Sequence, residues 1–212
     1  MNTTLRFDEA EHKYYDEEGR EIPSVSEILR FLFREVYEEP NKAQMDIAAD
    51  RGTRVHKACQ ELDERGQTEA DDDIAGYVRA YIKFAEEHEY EWKGVEQIIH
   101  GENVYGGFAG TLDRYGTLDG EGVVLDIKTT SKITKKHQLL YACQMSAYWL
   151  GLMCEPVDLP KNLAILQLKN DGTYKLIYVD KKVEEFNACL QLHYAVNATK
   201  RIRIKKGAKA NG

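Results

Sequence analysis

Nothing in the 212-residue sequence approaches the roughly 18 uninterrupted apolar residues needed to cross a bilayer. Residues Met1 to Asp8 also lack a basic segment followed by an apolar one. A soluble, cytoplasmic protein without a membrane partner is the expectation. Cysteine is sparse, and Cys59, Cys143, Cys154 and Cys189 are spaced too irregularly for a paired zinc-ligand pattern. Reduced core thiols are expected instead. Internal repeats and linkers rich in Pro, Gly or Ser are absent, and 42% hydrophobic content with 10% aromatics suffices for a full core. Residues 1–212 therefore read as a single domain, with an N-terminal hairpin and helix over about 1–40 and a basic tail over about 197–212.

The formal charge is −7, yet it is unevenly spread. Lys200, Arg201, Arg203, Lys205, Lys206 and Lys209 crowd the last sixteen residues without one acid. Such a tail either contacts a polyanion in a salt-dependent way or is a solvated, frayed terminus.

Turn-forming Asp16 to Gly19 predicts two short strands, followed by a helix that Pro23 and Ser24 introduce; Ser24 and Glu27 have capping-box spacing. Helical periodicity covers about Lys42 to Glu64, with Val55, Cys59 and Leu62 on one face and Gly52 marking a break or a restart. Tyr77, Tyr81 and Phe84 predict another helix. Trp92 to His100 reads as a strand. Two β-rich runs then flank Asp119-Gly120-Glu121-Gly122, a hairpin turn signal. A helix apolar nearly all round follows from about Lys136 to Leu152. Asn170-Asp171-Gly172 tips a second hairpin, and a last helix from about Lys181 turns Val183, Phe186 and Leu190 inward.

The first long hairpin decides whether its acids can act together. If Leu118 pairs with Val123, Asp113 sits opposite Lys128, and Asp126 shares their face. A shift of one residue would throw Asp113 to the other face. On the second strand Val123, Leu125 and Ile127 form a core face, and Asp126 and Lys128 point the other way. An ionised carboxylate in such a run is costly unless paired or metal-bound. Two arrangements satisfy it: a structural triad in which Lys128 neutralises both acids, or a carboxylate pair holding a hard divalent cation beside a lysine that stabilises developing negative charge.

Gly110-Thr111-Leu112-Asp113 and Asp126-Ile127-Lys128 resemble the PD-(D/E)XK nuclease signature, with Asp in place of the more frequent Glu. Gly52-Thr53-Arg54-Val55-His56 is similar to the histidine motif of the RecB-like branch. Gln144-Met145-Ser146-Ala147-Tyr148 resembles its QxxxY motif. The four stand in the family's order. The resemblance implies an α/β, restriction-endonuclease-like fold with a mixed central β-sheet flanked by α-helices. It implies metal ligation by His56, Asp113, Asp126 and the Ile127 carbonyl, and catalytic roles for Asp113, Asp126, Lys128, Gln144 and Tyr148. Glu96 matches an acidic position of the family, either binding a second metal or pairing with Arg54 or Arg79. Mg²⁺ or Mn²⁺ is the implied cofactor, with Mn²⁺ preferred because imidazole suits it better; the late cysteines of iron–sulfur relatives are missing, so no such cluster is expected.

The stretch from His12-Lys13-Tyr14-Tyr15 to Ile22-Pro23-Ser24-Val25-Ser26 resembles the start of phage and prophage members. The implied activity is a DNA exonuclease in end processing, recombination or repair. A strand-annealing protein or a helicase is the implied type of partner, with homo-oligomerisation left open. DNA contacts are assigned to Lys132, Lys135, Lys136, Lys200, Arg201 and Arg203. Two alternatives stand beside this reading: a non-catalytic DNA-binding module of the same fold, and a hydrolase of small phosphoesters.

Overall fold

The computed structural model describes residues 5–8, 11, 13–37 and 41–208, with side chains through residue 198. A small antiparallel sheet opens the chain: β1 (Arg6–Asp8), β2 (Lys13–Tyr15) and β3 (Glu21–Ile22). Asp16 to Gly19 turns between the last two, with Gly19 at φ 74°, where a side chain would be strained. The capping box closes as expected: Ser24 Oγ accepts the Glu27 N–H at 3.1 Å, and Glu27 Oε2 accepts the Ser24 N–H at 3.0 Å. It starts α1 (Val25–Ile28), and α2 (Arg30–Val36) follows.

The helix α3 (Lys42–Arg65) runs through Gly52 without the expected break. A helical glycine costs only about 1 kcal/mol, and complete burial of Val55 and Cys59 in the next two turns offsets it. Gly66, left-handed at φ 71°, ends the helix. After α4 (Ala75–Glu87) come β4 (Tyr90–Asn103), β5 (Gly106–Leu118), β6 (Glu121–Lys128), α5 (Lys135–Leu152), β7 (Asn162–Leu168), β8 (Tyr174–Val179) and α6 (Val183–Ala208). The last helix continues through the stretch read as a tail from residue 197.

The five long strands form one mixed sheet in the order β4-β5-β6-β7-β8. Only β6 and β7 run parallel, and α5 makes the crossover between them. Helices cover both faces. Val124, Leu163 and Ile165 pack with Cys143 and Met145 of α5 and with Phe186 and Leu190 of α6. Val123, Leu125 and Ile127 pack with Val55 of α3 and with Tyr81 and Phe84 of α4. The mixed sheet flanked by helices is the fold class the motifs implied.

Two expectations about the β5–β6 hairpin need correction. Its turn is only Asp119-Gly120, both left-handed at φ 50° and 82°, and Leu118 pairs with Glu121 rather than Val123. This is the two-residue turn that matches strand twist. The register therefore slips by two, an even number, so every side chain keeps its face. Second, the face of β6 that carries Asp126 is not wholly given to chemistry. Val124 there is core, because a strand central in a parallel pair is covered on both sides; the polar part begins at Asp126. The expectation for the thiols holds for buried Cys59 and Cys143, whereas Cys189 is half-buried and Cys154 exposed, and all four are free.

Gly76 sets how closely α4 approaches the β7–β8 turn, since a Cβ there would lie 1.8 Å from the Asn170 carbonyl oxygen. Gly76→Ala should lower stability by about 1–3 kcal/mol through overpacking. Urea unfolding would show an earlier midpoint at unchanged slope.

Candidate metal centre

Three strands bring the acids together. Val95 pairs with Arg114 and Gln97 with Leu112, which sets Glu96 level with Asp113 on the neighbouring strand. Arg114 pairs with Leu125, and continuing that register sets Asp113 level with Asp126 instead of Lys128. Asp113 is 7% exposed and Asp126 1%. The Ile127 N–H donates to Asp113 Oδ2 at 2.6 Å, which ties the end of β6 to the carboxylate of β5. Glu96 sits at φ 46°, uncommon for a residue with a side chain, in the middle of β4.

From α3, His56 reaches across. Its Nε2 lies 3.1 Å from the Ile127 carbonyl oxygen. A proton on Nε2 makes that contact a hydrogen bond and turns Nδ1 toward Glu96 Oε1 at 3.4 Å and Asp113 Oδ1 at 3.6 Å. Ligand atoms of His56, Glu96 and Asp113 all fall within 4.8 Å of one another. Burial pulls the His56 pKa down, but the Asp113 and Glu96 carboxylates outweigh it and hold it up at about 9. Burial opposes ionisation of Glu96, yet His56 and Arg114 keep its pKa below the usual carboxylate value.

Asp126 stands beside this group with a different partner. Lys128 Nζ donates to Asp126 Oδ1 at 3.0 Å and lies 2.8 Å from Oδ2, off the hydrogen-bond direction, so the buried Oδ2 has no hydrogen-bond partner. Burial pushes the Asp126 pKa up to about 6, with Asp113 adding to the rise and Lys128 opposing it. Lys128 also donates to Gln144 Oε1 at 3.2 Å, and Gln144 Nε2 donates to the Tyr148 hydroxyl at 2.7 Å. Gln144 and Tyr148, one helical turn apart on α5, thus connect to the acids through the lysine. Gly110 leaves the room that Tyr148 needs: a Cβ there would approach its ring to 2.8 Å.

Several residues outside the motifs complete the cluster. Arg114 is fully buried; its Nε donates to Asp63 Oδ2 at 2.7 Å and its Nη1 to Glu96 Oε1 at 3.1 Å. Tyr81 donates to the same Asp63 at 2.8 Å. Arg114, not Arg54 or Arg79, is therefore the partner of Glu96. Arg54 is engaged with Asp50, Asp71 and Asp73 at the surface. The sequence held a signal for Arg114: next to Asp113 on a strand, its side chain had to enter the other core and find an acid there. Tyr141 lies under Lys128, with Nζ 4.8 Å from the ring centre, and its hydroxyl meets that of Tyr37 at 2.6 Å. Tyr14, from the N-terminal sheet, meets Thr111 at 2.9 Å. Nothing in the local pattern foretold these two tyrosine contacts.

The expected DNA-contacting lysines are less concentrated. Lys132 is exposed on the loop after β6, Lys135 sits beside Gln138 on α5, and Lys136 reaches the Glu35 carbonyl at 3.5 Å. The side chains of Lys200, Arg201 and Arg203, like residue His12, lie outside the described residues.

Neither the protein-family models nor the curated proteins include a match to this chain. Solved structures do resemble it. LHK-Exo, an alkaline exonuclease from Laribacter hongkongensis, aligns at a TM-score of 0.49 and 13% identity over 90% of this chain and 95% of its own. The same protein in complex with dAMP aligns at 0.49 and 14% over the same shares. SSO0001 aligns at 0.46 and 14%, covering 81% of this chain and 72% of its own.

The donor set suits a hard divalent cation. Three carboxylates and an imidazole converge, and the orphaned Asp126 Oδ2 is a buried charged oxygen awaiting a positive partner. His56, Glu96 and Asp113 form the ligand group the geometry favours. Asp126 and the Ile127 carbonyl, expected as ligands, adjoin it but are bonded to Lys128 and His56. Glu96 is thus closer to the centre of the cluster than the motifs suggested.

Arg114→Ala should cost about 3–5 kcal/mol, because Asp63 and Glu96 would keep buried charges without a cation. Urea denaturation in EDTA would measure the loss; one below about 1 kcal/mol would mean that the arginine neutralises neither acid.

Proposed function

We propose that this protein is a divalent-metal-dependent nuclease that hydrolyses phosphodiester bonds in DNA. The observation that carries the reading is the buried convergence of Glu96, Asp113 and Asp126 with His56 and Lys128 at the end of β6. A purely structural charge cluster would not leave Asp126 Oδ2 buried without a hydrogen bond. His56, Glu96, Asp113 and Asp126 are the residues to hold the cation, with the Ile127 carbonyl beside them. Bound there, a divalent cation supplies Lewis acidity to a phosphoryl oxygen and makes a water more acidic.

The remaining work falls to side chains already in place. Asp126 and Asp113 keep the Lys128 ammonium charged against the opposing effect of burial. Two of its three N–H donors are used by Asp126 and Gln144. The third is left for the negative charge that builds on the phosphate during attack. Gln144 is fixed in one amide orientation, since it accepts from Lys128 and donates to Tyr148. Tyr148 and Gln144 thus hold the lysine in place as the acids hold the cation.

Within this reading the enzyme is an exonuclease of a phage or prophage recombination system, as the ordered motifs and the N-terminal resemblance imply. It works in DNA end processing, recombination or repair, alongside a strand-annealing protein or a helicase. Imidazole ligation favours Mn²⁺ over Mg²⁺.

Incubation with DNA labelled at either end should give stepwise shortening in Mn²⁺, slower shortening in Mg²⁺ and none in EDTA. Asp126→Ala and Asp113→Ala should each reduce cleavage by at least about 10³-fold while leaving the protein folded. Retarded but intact DNA would instead identify a binding module, and turnover confined to small phosphoesters a different hydrolase. Lys128→Ala should be nearly as inactive as the acid variants yet still take up Mn²⁺ in calorimetry. Lost Mn²⁺ uptake in that variant would reassign Lys128 to holding the site together.

A further inference from the structure

With an overall charge of −7, the chain must collect its unneutralised cations somewhere to hold a polyanion. One such place lies away from the carboxylates. A groove of about 520 Å³ runs between α5 and the β7–β8 edge, and its lining includes Lys135, Lys161, Lys181, Lys182, Asn162 and Tyr178, with Asp180 as its one carboxylate. Lys182 pairs with Glu185 at 3.2 Å. The other three lysines have only neutral company among the described residues. Lys181 donates to the Lys161 carbonyl at 2.5 Å and lies 5.0 Å from the Trp149 ring centre. Lys135 reaches the Gln138 amide oxygen at 3.4 Å. Lys161 is exposed and makes no ion pair.

Lys181 is held by a carbonyl and an indole face, which fixes an ammonium without cancelling its charge. Tyr178, 54% exposed on the edge strand, adds a ring that a base or sugar can cover. The parallel register places this groove relative to the acids: Asn162 pairs with Val123, and Gln167 with Lys128. Five strand residues, roughly 16 Å, separate the two ends.

We propose that this lysine groove is a second contact site for the phosphate backbone of a DNA strand, holding a substrate whose scissile bond lies at the acidic cluster. The separation corresponds to about five nucleotides of duplex rise. The groove therefore selects for strands longer than the catalytic site alone requires, and it anchors the strand between successive cuts. The inference rests on the reading of DNA as substrate, and the assay below keeps the two apart.

The test is fluorescence anisotropy of a labelled 30-nucleotide strand in EDTA across a salt series, so that binding is read without hydrolysis. Lys161→Glu/Lys181→Glu should weaken binding about tenfold at 0.1 M salt and reduce the slope of log K against log salt by about two, one unit per lost phosphate contact. Lys161→Gln, a single change at an exposed residue, should give about half that change in slope and keeps the test intact if the double variant folds poorly. In Mn²⁺, hydrolysis of a trinucleotide should be the same for all three proteins, whereas digestion of the long strand should become less processive in the variants. Unchanged affinity and salt slope in both variants would overturn the proposal. So would micromolar binding of inorganic phosphate that Lys161→Gln abolishes without touching strand affinity, which would define a small-anion site. Failure of the nuclease reading looks different: the wild-type protein would cut nothing, yet the charge reversals would still weaken strand binding.

Discussion

Three carboxylates packed within a few ångströms would repel one another and destabilise the sheet that carries them, so the balance of charge at the end of β6 governs much of this structure. Two cations make it tenable. Arg114 lies beneath the cluster and joins Glu96 to Asp63, and Lys128 lies beside it against Asp126. Neither cation reaches all the acids. Asp126 Oδ2 stays without a hydrogen bond, and His56 is drawn toward its protonated form by Asp113 and Glu96. Both features are what a site short of positive charge looks like before a cation enters it.

The surrounding architecture follows from keeping these groups in register. β5 and β6 carry alternating core and polar residues, and their two-residue turn fixes which residues meet. Both neighbouring layers lend support. The α3–α4 layer supplies His56, Asp63 and Tyr81, and the α5 layer supplies Gln144, Tyr148 and Tyr141. Because contributions come from both faces of the sheet, the cluster forms only once the whole domain has packed. The left-handed Glu96 is consistent with a local strain that the Arg114 and His56 contacts hold in place.

Much of this was legible in the chain because of parity. The expected pairing of Leu118 with Val123 was wrong by two residues, yet an even error leaves Asp113 and Asp126 on one face, so the convergence of the acids survived it. Helix limits were readable from caps and glycines, as at Ser24 and Gly66. Gly52 misled, since a glycine's modest cost is overridden by the burial around it. The partners of Glu96 were harder to read: Arg114 and Asp63 are 51 residues apart and meet only through the fold. The ligand grouping was equally obscure. Motif spacing brings His56 and Ile127 to one place, but it does not reveal that they bond to each other and leave Nδ1 facing Glu96.

The most direct test of the account is anomalous diffraction from crystals grown or soaked in Mn²⁺. A single strong manganese peak within ligand distance of Asp113 and Glu96, lost in an Asp113→Asn crystal, is the expected result. Clear density for the four side chains with no manganese among them, at a concentration that saturates activity, would contradict it.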